Sequence, residues 1–407
     1  MSVVIVGGGV AGTAAAWRLA ARGAQPIVID ARMGASDQTS GAIDDTPWER
    51  RLPSQTTQLS AHAQAFVDAL GVWSVSQRSA IVATSSGTLR PAAGVDRAVL
   101  DLGEDEERPL VVGVAEVPKR GWDGRGLAAE LDAEPLAQRR RIHFVPVPLT
   151  ALLRDDERLY PDVDLAAAHD ERERIEWLAA RVKEARAQVA FDALLVGPWL
   201  GLRESRASEL STLAGVRCGE VLSPPQGAAG FRLRHALDGL QQRLRVKTIL
   251  GEAKIFRESK QWKVELLSGA LAGQSMLTAS VVLTVGGVTS GGVSLLRTDP
   301  TRIEAPSPRF IFPAYRGAIL SHDPPGSAGE WTPSNRDPNL RWSPESPGTI
   351  ERVGLIHQGG RVLTDSGEPE PSLFAAGDAL ASRPRTVLEA VRAGLKAAEL
   401  VPTTGGP

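Results

Sequence analysis

Cysteine and aromatic residues are scarce in this chain of 407 residues. The one cysteine, Cys218, excludes an internal disulfide, a four-cysteine iron–sulfur cluster and a cysteine-based zinc site. Aromatic residues make up 5% of the sequence, and only two are tyrosines, which argues against a surface that stacks RNA bases. The six histidines show no spacing typical of metal ligands, so we expect no metal site.

Strong net charge and long apolar runs are also missing. The formal net charge is −2, with 23% charged and 42% hydrophobic residues, which is typical of a globular protein rather than a disordered or nucleic-acid-binding one. No apolar run reaches 18 residues, so we expect no membrane-spanning helix. Met1–Val6 is apolar and has no preceding basic region, which predicts a strand rather than a signal peptide. We therefore expect a cytoplasmic protein that could reach a membrane only through a partner.

Glycine and proline are abundant. The 41 glycines and 28 prolines exceed the combined share of about 12% that is usual in proteins. Glycine is useful where the backbone must closely approach a ligand. Many prolines fall within residues 321–348, which we predict to be a loop or lid.

The most specific motif lies in a predicted βαβ unit at the N-terminus. The apolar run Val3–Val6 is typical of a strand buried on both faces of a parallel sheet. Gly7-x-Gly9-x-x-Gly12 follows it and opens a helix, and Pro26–Asp30 forms the second strand. Two parallel strands joined through a helix imply a right-handed crossover.

This glycine pattern predicts a dinucleotide-binding loop. The first glycine allows a tight turn, the second allows backbone to approach a pyrophosphate, and the third allows the helix to pack closely on the strand. The helix N-terminus supplies N–H groups and positive potential. Asp30 stands where a carboxylate accepts hydrogen bonds from ribose hydroxyls. The predicted contact residues are Gly7, Gly9, Val10, Ala11, Gly12, Asp30, Ala31 and Arg32. A glycine-rich turn without a ligand is the plainer alternative.

Three later segments favour FAD over NAD. The run Val281–Gly287 looks like the strand-to-glycine crossing of large flavoproteins, and Leu373–Asp378 resembles their second FAD segment. Thr386 and Glu389 form a capping-box pattern at the start of the last predicted helix, whose N-terminus would stabilise negative charge on a reduced flavin. The additional predicted FAD contacts are Gly286, Gly377, Asp378 and Thr386. Taken singly, each segment could be an ordinary strand end.

The predicted fold is α/β: a Rossmann-like FAD-binding domain with a parallel sheet, plus an inserted α+β substrate or cap domain. Ile175, Leu178 and Val182 follow helical spacing within the insertion. We assign residues 1–74, 191–290 and 355–407 to the FAD-binding domain, and residues 75–190 and 291–354 to the substrate or cap domain.

The whole chain resembles the FAD-dependent oxidoreductases of the two-dinucleotide-binding-domain type, the superfamily that also holds fumarate reductase flavoproteins. Within it, the chain is most similar to the anaerobic glycerol-3-phosphate dehydrogenases, and there to the component that works with a larger catalytic subunit. Thr39–Asp44 looks like that family's Ser-Ser-Gly-Ser-small-Asp segment, which implies that Ser40 and Gly41 contact FAD. Gly230–Leu233 looks like its Gly-x-Arg-Leu run. The family's last helix opens with a glycine-rich segment, whereas this chain has Arg383–Thr386, which puts the substrate in question.

The resemblance implies a dehydrogenase that oxidises a small anionic alcohol such as glycerol 3-phosphate by hydride transfer to flavin N5. It also implies a partner flavoprotein and an iron–sulfur electron-transfer subunit. Candidate catalytic residues are His235, as a base, and Arg232 and Arg385, because arginine binds carboxylate or phosphate with two hydrogen bonds. Two alternatives stay open: a non-catalytic flavin-bearing subunit, and a stand-alone FAD oxidase or dehydrogenase of a secondary metabolite or an amine.

Overall fold

The computed structural model describes residues 2–32, 34–103, 109–287, 290–296, 309–315, 320–321, 354–364 and 366–403. The predicted proline-rich loop at 321–348 lies outside these ranges, apart from Ser321. Contacts between residues divide the chain into two units. Unit 1 comprises residues 1–35 and 239–407, and unit 2 comprises residues 36–238.

Helices separate many of the strands before residue 247, and in the described ranges from there to residue 375 strands follow one another without an α-helix. In chain order they are β1 Val3–Val6, β2 Pro26–Asp30, β3 Ala42–Ile43, β4 Trp73–Ala83, β5 Leu89–Asp96, β6 Leu110–Glu116, β7 Ile142–Pro148, β8 Ala193–Val196, β9 Arg217–Glu220, β10 Lys247–Leu250, β11 Ala253–Glu258, β12 Gln261–Leu266, β13 Ser275–Thr278, β14 Ser280–Leu283, β15 Ser294–Leu296, β16 Arg309–Ile311, β17 Leu320–Ser321, β18 Gly354–Leu355, β19 His357–Gln358, β20 Arg361–Leu363 and β21 Pro369–Ala375.

The helices in the described ranges are from 6 to 17 residues long. They are α1 Val10–Ala21, α2 Ala61–Leu70, α3 Gly124–Ala133, α4 Pro135–Arg140, α5 Asp162–Ala168, α6 Arg172–Gln188, α7 Ala207–Ala214, α8 Ala228–Arg243 and α9 Val387–Leu400. Within the described ranges, no helix is both long enough and apolar enough to cross a bilayer.

Unit 1 is built on one seven-stranded sheet with the order β10-β2-β1-β14-β21-β20-β19. β10, β2, β1, β14 and β21 run parallel. β20 pairs antiparallel with β21, and β19 pairs antiparallel with β20. Side chains alternate between the two faces of each strand. Val3 and Ile5 pack with α1 and α9, whereas Val4 and Val6 pack with Trp262 of the antiparallel β11-β12-β13 sheet. Both faces are therefore buried, which explains the continuous apolar run of β1.

Unit 2 contains two sheets. One is antiparallel with the order β3-β5-β4, and the other is parallel with the order β7-β6-β8-β9. The predicted amphipathic helix is confirmed as α6, in which Ile175, Leu178 and Val182 are buried. The sequence-based assignment of this region to an α+β insertion does not include the second parallel sheet.

The boundaries of the units differ from the predicted domain boundaries at 74/75 and 190/191. The apolar strand Ala193–Val196, assigned from sequence to the FAD-binding domain, pairs instead with β6 and β9 inside unit 2. A continuous apolar run fits any buried parallel sheet, so it does not specify its neighbours. The apolar run alone therefore leaves open the sheet to which this strand belongs.

Candidate cofactor site

The carboxyl ends of β1, β14 and β21 lie side by side in unit 1, because these three strands are adjacent and parallel. The three glycine segments predicted from sequence follow these strands. A Cβ on Gly7 would collide with the carbonyl of Thr284, and a Cβ on Gly287 would lie 2.8 Å from the carbonyl oxygen of Asp378. A Cβ on Gly377 would lie 2.9 Å from the Cβ of Ala11. The fold thus brings the separate segments together at one sheet edge.

Glycine is required at two places in the first segment. Gly7 has a φ of +117°, in a region that side chains disfavour. A Cβ on Gly12 would overlap the carbonyl oxygen of Gly7. The contact between the start of α1 and the end of β1 therefore depends on the absence of a side chain at Gly12, as the motif predicts.

The N-terminus of α1 is suited to an anion. Gly9 occupies the N-cap position without a side-chain cap, and the first turn contains no acidic residue. The positive end of the helix dipole is therefore not compensated by a side chain of its own first turn. A pyrophosphate at this position would meet backbone N–H groups and favourable potential.

Asp30 ends β2 beside the glycine loop and is buried. A Cβ on Gly8 would collide with its carboxyl carbon, so the carboxylate lies directly against the loop. One of its oxygens accepts a hydrogen bond from the Arg32 N–H at 2.9 Å. Ala31 and Arg32 are exposed, and Arg32 has a φ of +70°. The turn therefore holds the Asp30 carboxylate where the motif expects a ribose.

The C-terminal part of the site centres on Asp378. Burial raises the pKa of its carboxyl above the ordinary value, and the positive charge of Arg385 opposes that increase. Arg385 donates a hydrogen bond to the backbone carbonyl of Asp378, and its guanidinium lies 3.9 Å from the carboxylate. Arg385 therefore binds the same segment that the sequence assigns to the cofactor, rather than extending away from it.

The last helix begins with the predicted cap. The Thr386 hydroxyl accepts a hydrogen bond from the Glu389 N–H at 3.4 Å. The Glu389 carboxylate pairs with Arg383 at 3.3 Å. The helix packs closely on α1, since a Cβ on Gly394 would collide with the carbonyl of Ala11. Both helices therefore begin next to the strand ends that carry the glycines.

Ser40, Gly41, Arg232 and His235 belong to unit 2. The Gly41 carbonyl accepts from the Asp96 N–H at 2.6 Å, and the Ser40 carbonyl accepts from the Ser223 N–H at 2.8 Å. His235 is exposed on α8. These contacts fix the backbone of the Ser40–Gly41 segment within its own unit.

Arg232 is fully buried, with 0% exposure. It pairs with Asp96 at 3.1 Å and with Glu220 at 2.6 Å, and it donates to the Gly201 carbonyl at 2.5 Å. Two carboxylates share one guanidinium away from water, so burial and the Asp96 charge raise the pKa of Glu220 to about 7. The same carboxylates hold the pKa of Arg232 above its usual value. This environment favours a structural role for Arg232 over direct substrate contact.

Sequence reasoning missed the polar side chains that surround the glycine loop, namely Thr13, Thr284 and Gln241. The Thr284 hydroxyl donates to the Gly7 carbonyl at 2.8 Å. Thr284 lies inside the strand-to-glycine segment predicted from sequence. A hydroxyl side chain at the end of that strand could have been identified as a partner for the glycine loop. Among the described residues, no group of His, Cys, Asp and Glu is arranged to hold a metal ion.

Comparison with known proteins identifies a family. A family model described as FAD dependent oxidoreductase matches residues 2–341. No curated protein sequence matches the chain.

The solved structures that align with nearly the whole chain include the following three. The chain is similar to 3-ketosteroid delta1-dehydrogenase from Sterolibacterium denitrificans, with 13% identity, 98% of each chain covered and a TM-score of 0.37. It is similar to iminodiacetate oxidase from Chelativorans sp. BNC1, with 12% identity, 99% of this chain and 97% of that chain covered, and a TM-score of 0.32. It is also similar to CabE, an aromatic hydroxylase from angucycline biosynthesis, with 13% identity, coverage of 98% and 62%, and a TM-score of 0.33. Similarity at this level carries no argument about the substrate.

Proposed function

The chain belongs to the FAD dependent oxidoreductase family, and from this premise we propose that it is a dehydrogenase that binds FAD at the strand ends of unit 1. The observation that carries the proposal is the convergence of three glycine segments at the carboxyl ends of β1, β14 and β21. Open parallel sheets bind ligands at this edge.

The residues at this edge fit FAD. The N-terminus of α1, from Gly9 to Gly12, would hold the pyrophosphate, and Asp30 would accept hydrogen bonds from the ribose. Gly286, Gly377 and Asp378 would allow backbone to approach the remainder of the cofactor, and the Thr386-capped helix would stabilise negative charge near the flavin. FAD, when bound, supplies the hydride acceptor at N5. The protein residues supply position and electrostatic potential.

For the substrate, we propose a small anionic alcohol such as glycerol 3-phosphate. The support is the resemblance of the Thr39–Asp44 segment to that of the glycerol-3-phosphate dehydrogenase component. His235, exposed on α8, remains the proposed base. We assign Arg385 to positioning the Asp378 segment and Arg232 to holding Asp96, Glu220 and the Gly201 carbonyl, since both guanidinium groups already bind protein oxygens.

Electrons must leave the proposed flavin for an acceptor outside this chain. Cys218 is buried, and burial raises the pKa of its thiol to about 12, which makes it a poor redox thiol. A partner flavoprotein and an iron–sulfur subunit are one proposed route for the electrons. Direct reaction with oxygen, in a stand-alone oxidase, is the alternative.

Anaerobic titration of the FAD-reconstituted protein tests the proposal. We expect glycerol 3-phosphate or another anionic alcohol to bleach the visible flavin absorption and an uncharged analogue of the same alcohol to leave it unchanged. Bleaching by amines or uncharged alcohols alone would overturn the substrate class. Peroxide production in air without a partner would favour the oxidase, and flavin that no substrate reduces would favour a non-catalytic subunit.

A matched pair of glycine variants tests where FAD binds. Gly12→Ala places a methyl group against the Gly7 carbonyl, whereas Gly34→Ala places one in open space. We expect the first substitution to weaken FAD binding at least tenfold and the second to leave it unchanged. Equal FAD affinity in the two variants would contradict the assignment of the site to this loop.

A further inference from the structure

A buried polar network lies behind the glycine loop. Gln241 on α8 is 3% exposed, and its amide nitrogen donates to the Thr13 hydroxyl at 2.8 Å and to the Gly8 carbonyl at 3.5 Å. The Thr13 hydroxyl donates in turn to the Gly8 carbonyl at 3.2 Å. On the other side, Thr248 of β10 donates to the Gln241 amide oxygen at 2.9 Å. Thr248, Gln241, Thr13 and Gly8 thus form one chain of hydrogen bonds.

The orientation of the Gln241 amide follows from its partners. The reversed amide would point its oxygen at the Gly8 carbonyl oxygen, so that two acceptors would face each other in a buried site. A buried amide that leaves its hydrogen bonds unmade is costly. Since both ends of this amide find complementary partners, its donor end is directed at the glycine loop.

The network also fixes the direction of two consecutive peptide groups. The Gly7 carbonyl is bound by Thr284, and the Gly8 carbonyl is bound by Thr13 and Gln241. In a trans peptide the N–H points opposite to the C=O of the same unit. The N–H groups of Gly8 and Gly9 therefore point away from these side chains. Successive backbone N–H groups bind an anion when both are presented to it, so the direction of these two peptide groups matters for a ligand at the loop.

We propose that Gln241 is a positioning residue for the cofactor pyrophosphate: it holds the Gly8 carbonyl inward, directly and through Thr13, so that the loop presents its amides to the anion. The inference rests on the proposed function, because it takes the pyrophosphate of FAD as the ligand. Gln241 does not touch the ligand in this proposal and acts only through the loop. Thr248 completes the arrangement by orienting the Gln241 amide.

Two substitutions at Gln241 and one matched control test the role. Gln241→Leu removes the hydrogen bonds with little change in volume, and Gln241→Glu keeps an acceptor for Thr248 but removes the donor. Gln242→Leu makes the same change at the exposed neighbouring position on α8. We expect the Kd for FAD, measured by flavin fluorescence titration, to rise about tenfold in both Gln241 variants, the size expected for losing one or two hydrogen bonds. The control should bind like the wild type.

Two further readouts separate positioning from general destabilisation. The ³¹P resonances of bound FAD should shift in the Gln241 variants and remain unchanged in Gln242→Leu. In FAD-free protein, the Gly8 and Gly9 amides should exchange with solvent faster in Gln241→Leu than in the control, because the loop has lost its support. Thermal unfolding of the FAD-free variants records any general loss of stability.

The outcomes are distinct. Wild-type FAD affinity in Gln241→Leu would overturn the proposal, and so would weakened binding with unchanged ³¹P resonances and a matching loss of thermal stability. If the wild-type protein binds no FAD, the proposed function fails. The role of Gln241 is then decided by amide exchange alone, and equal exchange in Gln241→Leu and Gln242→Leu would overturn it.

Discussion

Each unit contains an open parallel sheet in which the first strand of the sheet lies between later ones. In unit 1, β1 lies between β2 and β14, and in unit 2, β6 lies between β7 and β8. At such a point the connections leave in opposite directions, and a crevice forms outside the carboxyl ends of the two strands. By topology alone, both sheets offer a ligand site.

The residues that follow the strands make the difference. Gly7, Gly8 and Gly9 follow β1, and Gly286 and Gly287 follow β14. In unit 2, Lys119 and Trp122 follow β6, and the one glycine directly after β8, Gly197, is followed by Pro198 and Trp199. Trp199 is 1% exposed; its ring lies 5.1 Å from that of Trp122 and 5.6 Å from the Lys119 ammonium group. The absence of a side chain at Gly197 makes room for the indole ring. Unit 2 places large side chains of its own at these strand ends, so topology locates a candidate site but local residues decide whether a ligand can enter.

Among the substitutions that test the difference between the strand ends of the two units, Trp199→Ala should have the largest effect. We expect Trp199→Ala to lower the free energy of unfolding by about 3–5 kcal/mol, because a large buried side chain is replaced by a cavity. FAD affinity, measured where the protein remains folded, should not change. Trp48→Ala, at a site 49% exposed, should cost less than about 1 kcal/mol. Urea denaturation and flavin titration measure both quantities, and a Trp199→Ala variant that loses FAD affinity would break the contrast.

The pH dependence of the free energy of unfolding tests a second strand end of unit 2, the end of β9 at Glu220. Glu220 ends β9, and its pKa is raised to about 7, so between pH 4.5 and 7 the folded state holds a proton that the unfolded state releases. Its contribution to stability is present at low pH and is lost as pH rises through 7, by up to about 3 kcal/mol. Glu220→Gln should remove this contribution, so the wild type should lose stability relative to the variant as pH rises from 5 to 8, as measured by urea denaturation.

The stability contributed by His169 has the opposite pH dependence and can be compared with that of Glu220. Its Nδ1 donates a hydrogen bond to the Trp199 carbonyl at 2.7 Å, and burial lowers its pKa to about 4. Its contribution is therefore present above pH 6.5 and is lost as pH falls toward 4. In Glu220→Gln, stability should fall on acidification below 6.5 and stay level above it. A decline above pH 6.5 in that variant would exclude Glu220 as its source.

The smallest effect comes from two helix caps, one in each unit. The Thr386 hydroxyl caps α9 and the Ser60 hydroxyl caps α2, with distances of 3.4 and 3.3 Å to the N–H groups they bind. Thr386→Ala and Ser60→Ala should each lower stability by about 1 kcal/mol. Only the first should also weaken FAD binding, by a few-fold, and Thr386→Ser should restore it. If both variants weaken FAD binding equally, the effect reflects stability alone.

Local signals made much of unit 1 predictable. Gly12 approaches the Gly7 carbonyl, five residues earlier in the chain, so the glycine pattern itself indicates the turn and the start of α1. The apolar run Val3–Val6 likewise indicates a buried strand. The Thr386 cap is local in the same sense. The structure confirms these elements, with β14 ending at Leu283 before Thr284.

Features that depend on distant partners were not predictable. Gln241 meets Thr13 and Gly8 only because α8 packs behind the loop, and nothing near Gln241 in sequence records that contact. Arg232 looks like any helical arginine until Asp96 and Glu220 enclose it. The partners of Ala193–Val196 were undetermined for the same reason, since apolar side chains do not specify which strand pairs with them.

The order of strands in unit 1 has a consequence for synthesis on the ribosome. Unit 2 is one continuous stretch, 36–238, whereas β1 pairs with β14 and lies near β21, which are made more than 270 residues later. Because chains emerge N-terminus first, we expect unit 2 to fold while β1, α1 and β2 still lack most of their sheet. The nascent chain would carry this apolar N-terminal segment exposed for much of translation, which makes it a natural client segment for chaperones.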